Sequence, residues 1–207
     1  MRRVWGRANS SNVMKVIWGL EELGLPYERI DVGGSFGKTD TKEYRVMNPN
    51  GLVPTLEEDG FVLWESNAIL RYLCQAHAPR AALWPQEPRA RANIDRWMDW
   101  QQTTMNRPMS VVFWNLVRTP PEKRDHEAIA AGIKDGGRMW GMVDAVLAHH
   151  PYVGGTEFTI GDIPLGVLVH RWFTLAIDRP ALSHLHAWYD RLLERAPYRL
   201  HIAQPLT

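Results

Sequence analysis

Residues 3 to 32 switch from strand to helix and back, and that switch leaves the chain few topologies. RVW at 3–5 is a short strand-like run. Val13, Val16, Ile17, Leu20 and Leu23 then recur at helical spacing, and Gly24 and Pro26 supply a stop. YERIDV at 27–32 alternates weakly and ends β-branched. Strand, helix and strand so close together predict a βαβ unit with parallel strands and a right-handed crossover.

The loop GGSFGKTDT (33–41) is too long for a tight turn. VPTLEE (53–58) and FVLWE (61–65) read as two strands joined across Asp59-Gly60. That dipeptide suits a type I′ hairpin turn, whose central residues need positive φ. SNAILRYLCQAHA (66–78) follows as a helix, with Ser66 as its cap and Ile69, Leu70 and Leu73 as its buried stripe. APRAALWPQEPRA (78–90) then carries three prolines and no periodicity, which marks a boundary. Beyond it, segments near 89–117, 122–148, 160–177 and 181–195 have helical apolar spacing. The expected organisation is an α/β domain over 1–78, a linker over 79–88 and an all-α domain over 89–207. FTIGDIPLG (158–166) sets Thr159 three residues before Asp162, with Phe158 and Ile163 as a hydrophobic staple. It predicts a capped helix start, Asp standing in for the usual Glu.

Composition narrows the function classes. Net charge is +1 with acids and bases interspersed, so nothing favours nucleic acid or an anionic membrane as partner. The apolar runs fall short of the ~20 residues of a membrane span, and MRRVWGRANSS has no apolar core of a secretory signal. Cys74 is the only cysteine, which excludes an internal disulfide, a Cys-x-x-Cys pair and a thiolate zinc site. It lies in an apolar helical stripe and reads as a buried structural thiol. His184 and His186 are two apart and face apart on a helix, so no metal is expected. A cytoplasmic enzyme or binding protein fits best, with most of the ten tryptophans in its core.

Three polar clusters carry the candidate chemistry. Asn9, Ser10, Ser11 and Asn12 stand where the first strand ends and a helix begins. One reading is simple capping of the first-turn N–H groups. The other starts from position, because open α/β sheets bind ligands at strand ends and helix N-termini favour anions. A hydroxyl there can donate to a thiolate; lowering a thiol by two pKa units takes about 2.7 kcal/mol of preferential interaction. In NPNGLVPTL (48–56), a cis Val53-Pro54 bond would turn the Val53 N–H and C=O toward an extended peptide ligand, although trans is the commoner state of such bonds. In WESNA (64–68), Glu65 and Ser66 offer a carboxylate for an ammonium and a hydroxyl with N–H groups for a carboxylate. A cap beside a solvated Glu is the plain alternative. No G-x-S-x-G elbow supports a serine hydrolase, and a glutaredoxin-type enzyme would want cysteine near position 10.

Together, Ser-x-Asn-Val-x-Lys-Val after a strand, NPNGLVPTL, ESNAILRYL and FTIGDIPLG resemble the cytosolic glutathione transferases over nearly the whole chain. The serine motif is similar to the serine-type branches, the phi, theta and zeta classes and their bacterial relatives. The resemblance implies a thioredoxin-like domain followed by an all-helical one, a detoxifying role, and glutathione as co-substrate for attack on a small apolar electrophile. It places the thiol-activating hydroxyl on Ser10, with Ser11 and Asn12 able to share that role, while the remaining polar neighbours cap the helix and shape the pocket floor. It puts the cysteinyl backbone of glutathione on Val53 beside cis Pro54, the γ-glutamyl end on Glu65 and Ser66, and the glycyl carboxylate near Lys38. Leu52 stands where plant relatives often have Gln or Lys. The electrophile site falls to Arg7, Met105, Arg107, Met109, Phe113 and Trp114, although Phe113 and Trp114 also fit a plain core. The resemblance further implies a homodimer; from its position alone in RWMDWQQ, Asp99 is expected to reach the partner's glutathione amine. A non-catalytic glutathione-binding or protein-interaction module of the same fold, and a glutathione-dependent isomerase or lyase, are the alternatives. Intact NSSN and ESN motifs favour retained chemistry.

Overall fold

The computed structural model describes residues 1–78 and 82–207; Pro79, Arg80 and Ala81 of the expected linker lie outside them. Strands β1 (Arg2–Trp5), β2 (Tyr27–Ile30), β3 (Thr55–Glu58) and β4 (Phe61–Trp64) form one sheet in the order β2-β1-β3-β4. Helix α1 (Ser11–Glu22) links β1 to β2, which run parallel with Val4 opposite Arg29, the expected βαβ unit. β3 and β4 are the expected hairpin, with φ of 49° at Asp59 and 86° at Gly60. α3 (Ser66–His77) closes this part, and Val4, Val13, Val16, Ile17, Leu20, Leu56, Ile69 and Leu73 make its core. The apolar stripes of α1 and α3 thus face β1 and β3, as their spacing requires.

Two local readings need correcting. Ser66 is the first helical residue of α3 and not its cap; Glu65 holds that position at a left-handed φ of 72°. A short helix, α2 (Lys42–Met47), fills the stretch before NPNGLVPTL. It buries only Tyr44, so it shows no apolar period, and its start is set by Thr41 Oγ1 accepting from the Tyr44 N–H at 3.3 Å.

The C-terminal part is helical. α4 (Pro88–Trp100) passes through a π-helical turn at Gln101–Met105 into α5 (Asn106–Phe113), and a second such turn follows at Trp114–Arg118. What reads in sequence as one helix therefore carries two wide turns, a feature that re-aims side chains and recurs at functional sites. α6 (His126–Leu147), α7 (Asp162–Thr174) and α8 (Ser183–Leu193) match expected segments, whereas α9 (Ala196–His201) was not read from the sequence. Pro197 opens it at a position where its missing N–H costs nothing.

The Thr159–Asp162 cap forms and does more than cap. Asp162 Oδ2 accepts from the Thr159 N–H (2.9 Å) and hydroxyl (3.2 Å), while Thr159 Oγ1 accepts from the Gly161 N–H (3.3 Å). Asp162 Oδ1 accepts from the Val153 N–H (3.0 Å) and from Trp188 Nε1 (3.1 Å). Burial pushes this carboxyl up to about 6, against the pull of those bonds.

α1 joins the two parts. Gly166 of α7 lies so close to Trp18 that a Cβ there would sit 2.7 Å from the indole. The Trp18 ring packs on Tyr198, whose hydroxyl donates to the Gly166 carbonyl at 2.8 Å. Glu22 accepts from Trp18 Nε1 (2.8 Å) and from Nε and Nη2 of Arg195 (2.7 and 2.5 Å). Six tryptophans (Trp18, Trp84, Trp97, Trp140, Trp172 and Trp188) are buried, so the core reading holds for most of the ten.

Candidate active site

The site is built where β1 ends. Ser10 takes the N-cap position of α1 (φ −84°, ψ 124°), and its carbonyl accepts from the Met14 N–H at 2.8 Å. Its hydroxyl makes no capping bond. The neighbours do not cap either. Asn9 Nδ2 donates to Thr207 Oγ1 (3.0 Å), and Asn12 Oδ1 accepts from the Ser66 hydroxyl (3.4 Å). Ser11 and Asn12 are the first two residues of α1, past the N-cap position. The cluster therefore ties the start of α1 to α3 and to the C-terminal segment, and leaves the Ser10 hydroxyl for something else.

The NPNGLVPTL loop stands beside it. Asn48 is buried and holds the loop's shape: Nδ2 donates to the Leu52 carbonyl (2.9 Å) and Thr55 Oγ1 (3.1 Å), and Oδ1 accepts from the Asn50 N–H (3.1 Å). Tyr44 Oη adds a 2.7 Å bond to the same Leu52 carbonyl. Gly51 has φ 64°, and a Cβ there would lie 3.0 Å from the Thr39 carbonyl oxygen, so glycine is required. Val53-Pro54 is cis, and the Val53 N–H and C=O have no hydrogen-bond partner among the described residues. An extended peptide can pair with such an edge. Leu52 is 67 % exposed.

Glu65 is exposed on its strained backbone, and Ser66 is buried next to it. A non-glycine residue at such φ persists when its surroundings hold it there, and such residues cluster at ligand sites. Lys38 is exposed, also at a left-handed φ of 71°, on the loop after β2.

Two further residues bridge the two parts. Lys15, fully buried, donates from Nζ to Gln101 Oε1 (2.8 Å) and Gln102 Oε1 (3.3 Å) across the junction of the two parts. Burial pulls it down to about 7; Glu65 opposes that shift and Arg171 adds to it. A lysine inside the apolar run Val13–Val16–Ile17 was the available signal. Asn67 Nδ2 makes a second crossing, 2.9 Å to the Met98 carbonyl.

The expected electrophile residues divide. Met105 and Met109 are fully buried in the helical core and do not form a cleft wall. Arg107 is exposed on a groove between α5 and α6 with Gly132 and Asp135, whose lining does not include Ser10. Phe113 is buried, its ring covered by the Arg171 guanidinium at 3.8 Å. Trp114 is 54 % exposed, and Arg7 follows β1 directly, its carbonyl accepting from the Ser10 N–H at 3.2 Å. Asp99 pairs within the chain with Arg71 of α3 at 2.6 Å, so that carboxylate already has a partner.

The sequence matches the family models for the glutathione S-transferase N-terminal domain (residues 9–76) and C-terminal domain (residues 127–191). It is 40 % identical to glutathione S-transferase GstB of Escherichia coli (strain K12) over 209 aligned positions, covering 100 % of both chains. Among solved structures, it resembles the theta class glutathione S-transferase of Xanthomonas axonopodis pv. citri with glutathione bound, at 50 % identity and TM-score 0.96, covering 100 % of this chain and 99 % of that one. The apo form of that enzyme matches at TM-score 0.87 and 45 % identity, covering 100 % and 98 %. The chain belongs to the glutathione S-transferase family, with the family's mixed-sheet N-terminal and helical C-terminal domains. It is a glutathione S-transferase.

Proposed function

We propose that Ser10 Oγ donates to the glutathione sulfur and holds it as thiolate for attack on an electrophile bound against the junction with the helical domain. The observation that carries this is a hydroxyl at a helix start with no capping bond, beside the unpaired backbone edge of Val53. The helix N-terminus and one charge-assisted bond together match the ~2.7 kcal/mol that a two-unit shift of the thiol requires. Val53 receives the cysteinyl backbone, Glu65 the γ-glutamyl ammonium, and the Ser66 N–H and hydroxyl the adjoining carboxylate; Lys38 is the nearest cation for the glycyl end. Ser11 is one residue away and is the alternative donor. Positioning the thiolate at near-attack distance supplies the remainder of the rate.

The domains are proposed to divide at residues 78 and 89, and the enzyme to be a cytoplasmic, detoxifying homodimer. Exposed Val46, Leu52, Phe61 and Trp64 on the sheet domain, and an apolar hollow of Trp97, Trp100, Met142 and Val146 on α4 and α6, support pairing of the two domains across subunits. Spectroscopic titration of the glutathione thiol in the binary complex tests the central reading. The expected result is a midpoint below that of free glutathione; an unshifted midpoint contradicts it.

A further inference from the structure

Three arginines converge next to Ser10, and among the described residues none of them pairs with an Asp or Glu side chain. Arg7 lies flat on the loop after β2, so close that a Cβ on Gly34 would sit 2.9 Å from its Cδ. Arg171 of α7 is 8 % exposed, with its guanidinium on the ring of Phe113. Arg118, at the end of the second π-helical turn, reaches the same ring at 5.7 Å and donates to the Thr207 backbone carbonyl. The Nε atoms of Arg7 and Arg118 are buried without a hydrogen-bond partner. Burial, joined by repulsion from Arg118 and Arg7, pulls the Arg171 guanidinium below its ordinary range.

An unpaired buried charge opposes folding, and this chain has 23 acidic residues from which a partner could have been drawn. The two methionines expected in an apolar wall do not reach the surface. Met105 and Met109 face the core, and the Phe113 ring that a neutral aromatic would stack on is covered by a cation. Beside the exposed Trp114, the half-buried Arg7 and Arg118 offer guanidinium groups, whose planar fork matches a carboxylate. Arg7 also lies on the Val53 side, since a Cβ built on Gly33 would sit 3.5 Å from its Nη1 and 3.2 Å from Val53 Cγ1.

We infer that Arg7, Arg118 and Arg171 form an anion subsite of the electrophile site and that the preferred electrophile carries a carboxylate. The inference rests on the transferase reading above and names its substrate class. With a chlorinated nitroarene carboxylate as electrophile, the glutathione thiolate adds to the carbon bearing chlorine and forms the C–S bond. The C–Cl bond then breaks, chloride leaves with its electron pair, and the thiol proton has gone to solvent. The arginines hold the carboxylate and stay outside the bond changes.

The test compares 4-chloro-3,5-dinitrobenzoate with its methyl ester, each enzymatic kcat/KM divided by the uncatalysed rate constant with glutathione, since the ester is intrinsically more reactive. The wild-type enzyme should favour the carboxylate by about tenfold or more. Arg171→Met and Arg7→Gln should each remove most of that preference, with a smaller effect on the KM for glutathione. Inorganic sulfate should compete with the carboxylate electrophile and not with glutathione. If Arg171→Met fails to fold, Arg7→Gln and the sulfate competition decide the matter. Preference for the ester, equal loss on both substrates, or variants that chiefly raise the thiol midpoint would overturn the subsite and assign the arginines to the thiolate. Binding of glutathione without turnover of either compound would overturn the subsite while leaving the glutathione site standing; no glutathione binding would sink both readings.

Discussion

Lys15 Nζ lies 2.8 Å from Gln101 Oε1, so a buried ammonium on the first helix of the sheet domain is solvated by the π-helical turn of the other domain. Burial holds it at about 7, against an ordinary 10.5. The unfolded chain keeps this proton to higher pH than the folded one does. The cost of the buried charge is therefore complete below about pH 7, and stability rises as pH climbs from there toward 10. Lys15→Met removes that slope. Thermal melts of both proteins from about pH 6 to about pH 9 should show the wild type gaining on the variant; parallel profiles would contradict the assignment.

Ser10→Ala removes the proposed donor to the thiolate and little else, because the hydroxyl caps nothing. A charge-assisted bond of about 1.5–3 kcal/mol translates into a thiol midpoint raised by about one to two units and a neutral-pH kcat/KM lowered about ten- to hundredfold. Affinity for glutathione should stay close to wild type by calorimetry. If Ser11→Ala has the large effect and Ser10→Ala does not, the activating hydroxyl is one residue further on.

Glu65 separates binding from backbone strain. Both Glu65→Ala and Glu65→Gly delete the carboxylate and should raise the dissociation constant for glutathione by a similar factor. Glycine accepts a φ of 72° freely and alanine does not. The Gly variant should be the more stable of the two by about 1 kcal/mol in urea unfolding. Equal stability would mean that the loop relaxes when the side chain is lost.

Asp162→Ala leaves the Val153 and Thr159 N–H groups and Trp188 Nε1 without their buried acceptor. The expected loss is about 4 kcal/mol, since each orphaned donor keeps its desolvation cost. Denaturant melts measure it, and a loss below about 1 kcal/mol would mean that water replaces the carboxylate.

Leu52→Glu puts a charge on the exposed apolar residue that caps the NPNGLVPTL loop. Sedimentation should show a dimeric wild type and a largely monomeric variant that keeps its fold. A wild-type monomer at micromolar concentration would defeat the proposed pairing.

Local patterns in the sequence were enough for the βαβ unit, the Asp59-Gly60 hairpin, the stripe of α3 and the Thr159–Asp162 cap. Each depends on residues within a few positions of one another, where backbone sterics and one apolar face decide the outcome. The three motifs that carry the family resemblance were legible for the same reason, being short and contiguous. α2 and α9 escaped because six-residue helices bury too little to show a period. The electrophile side was the least legible. Met105, Met109 and Arg107 lie on a helix whose two π-helical turns rotate its faces away from regular spacing. Lys15 with Gln101, and Arg7 with Arg118 and Arg171, are far apart in the chain. Their pairing exists only once α1 packs against the helical domain, and only that packing removes the water that would have screened their charges.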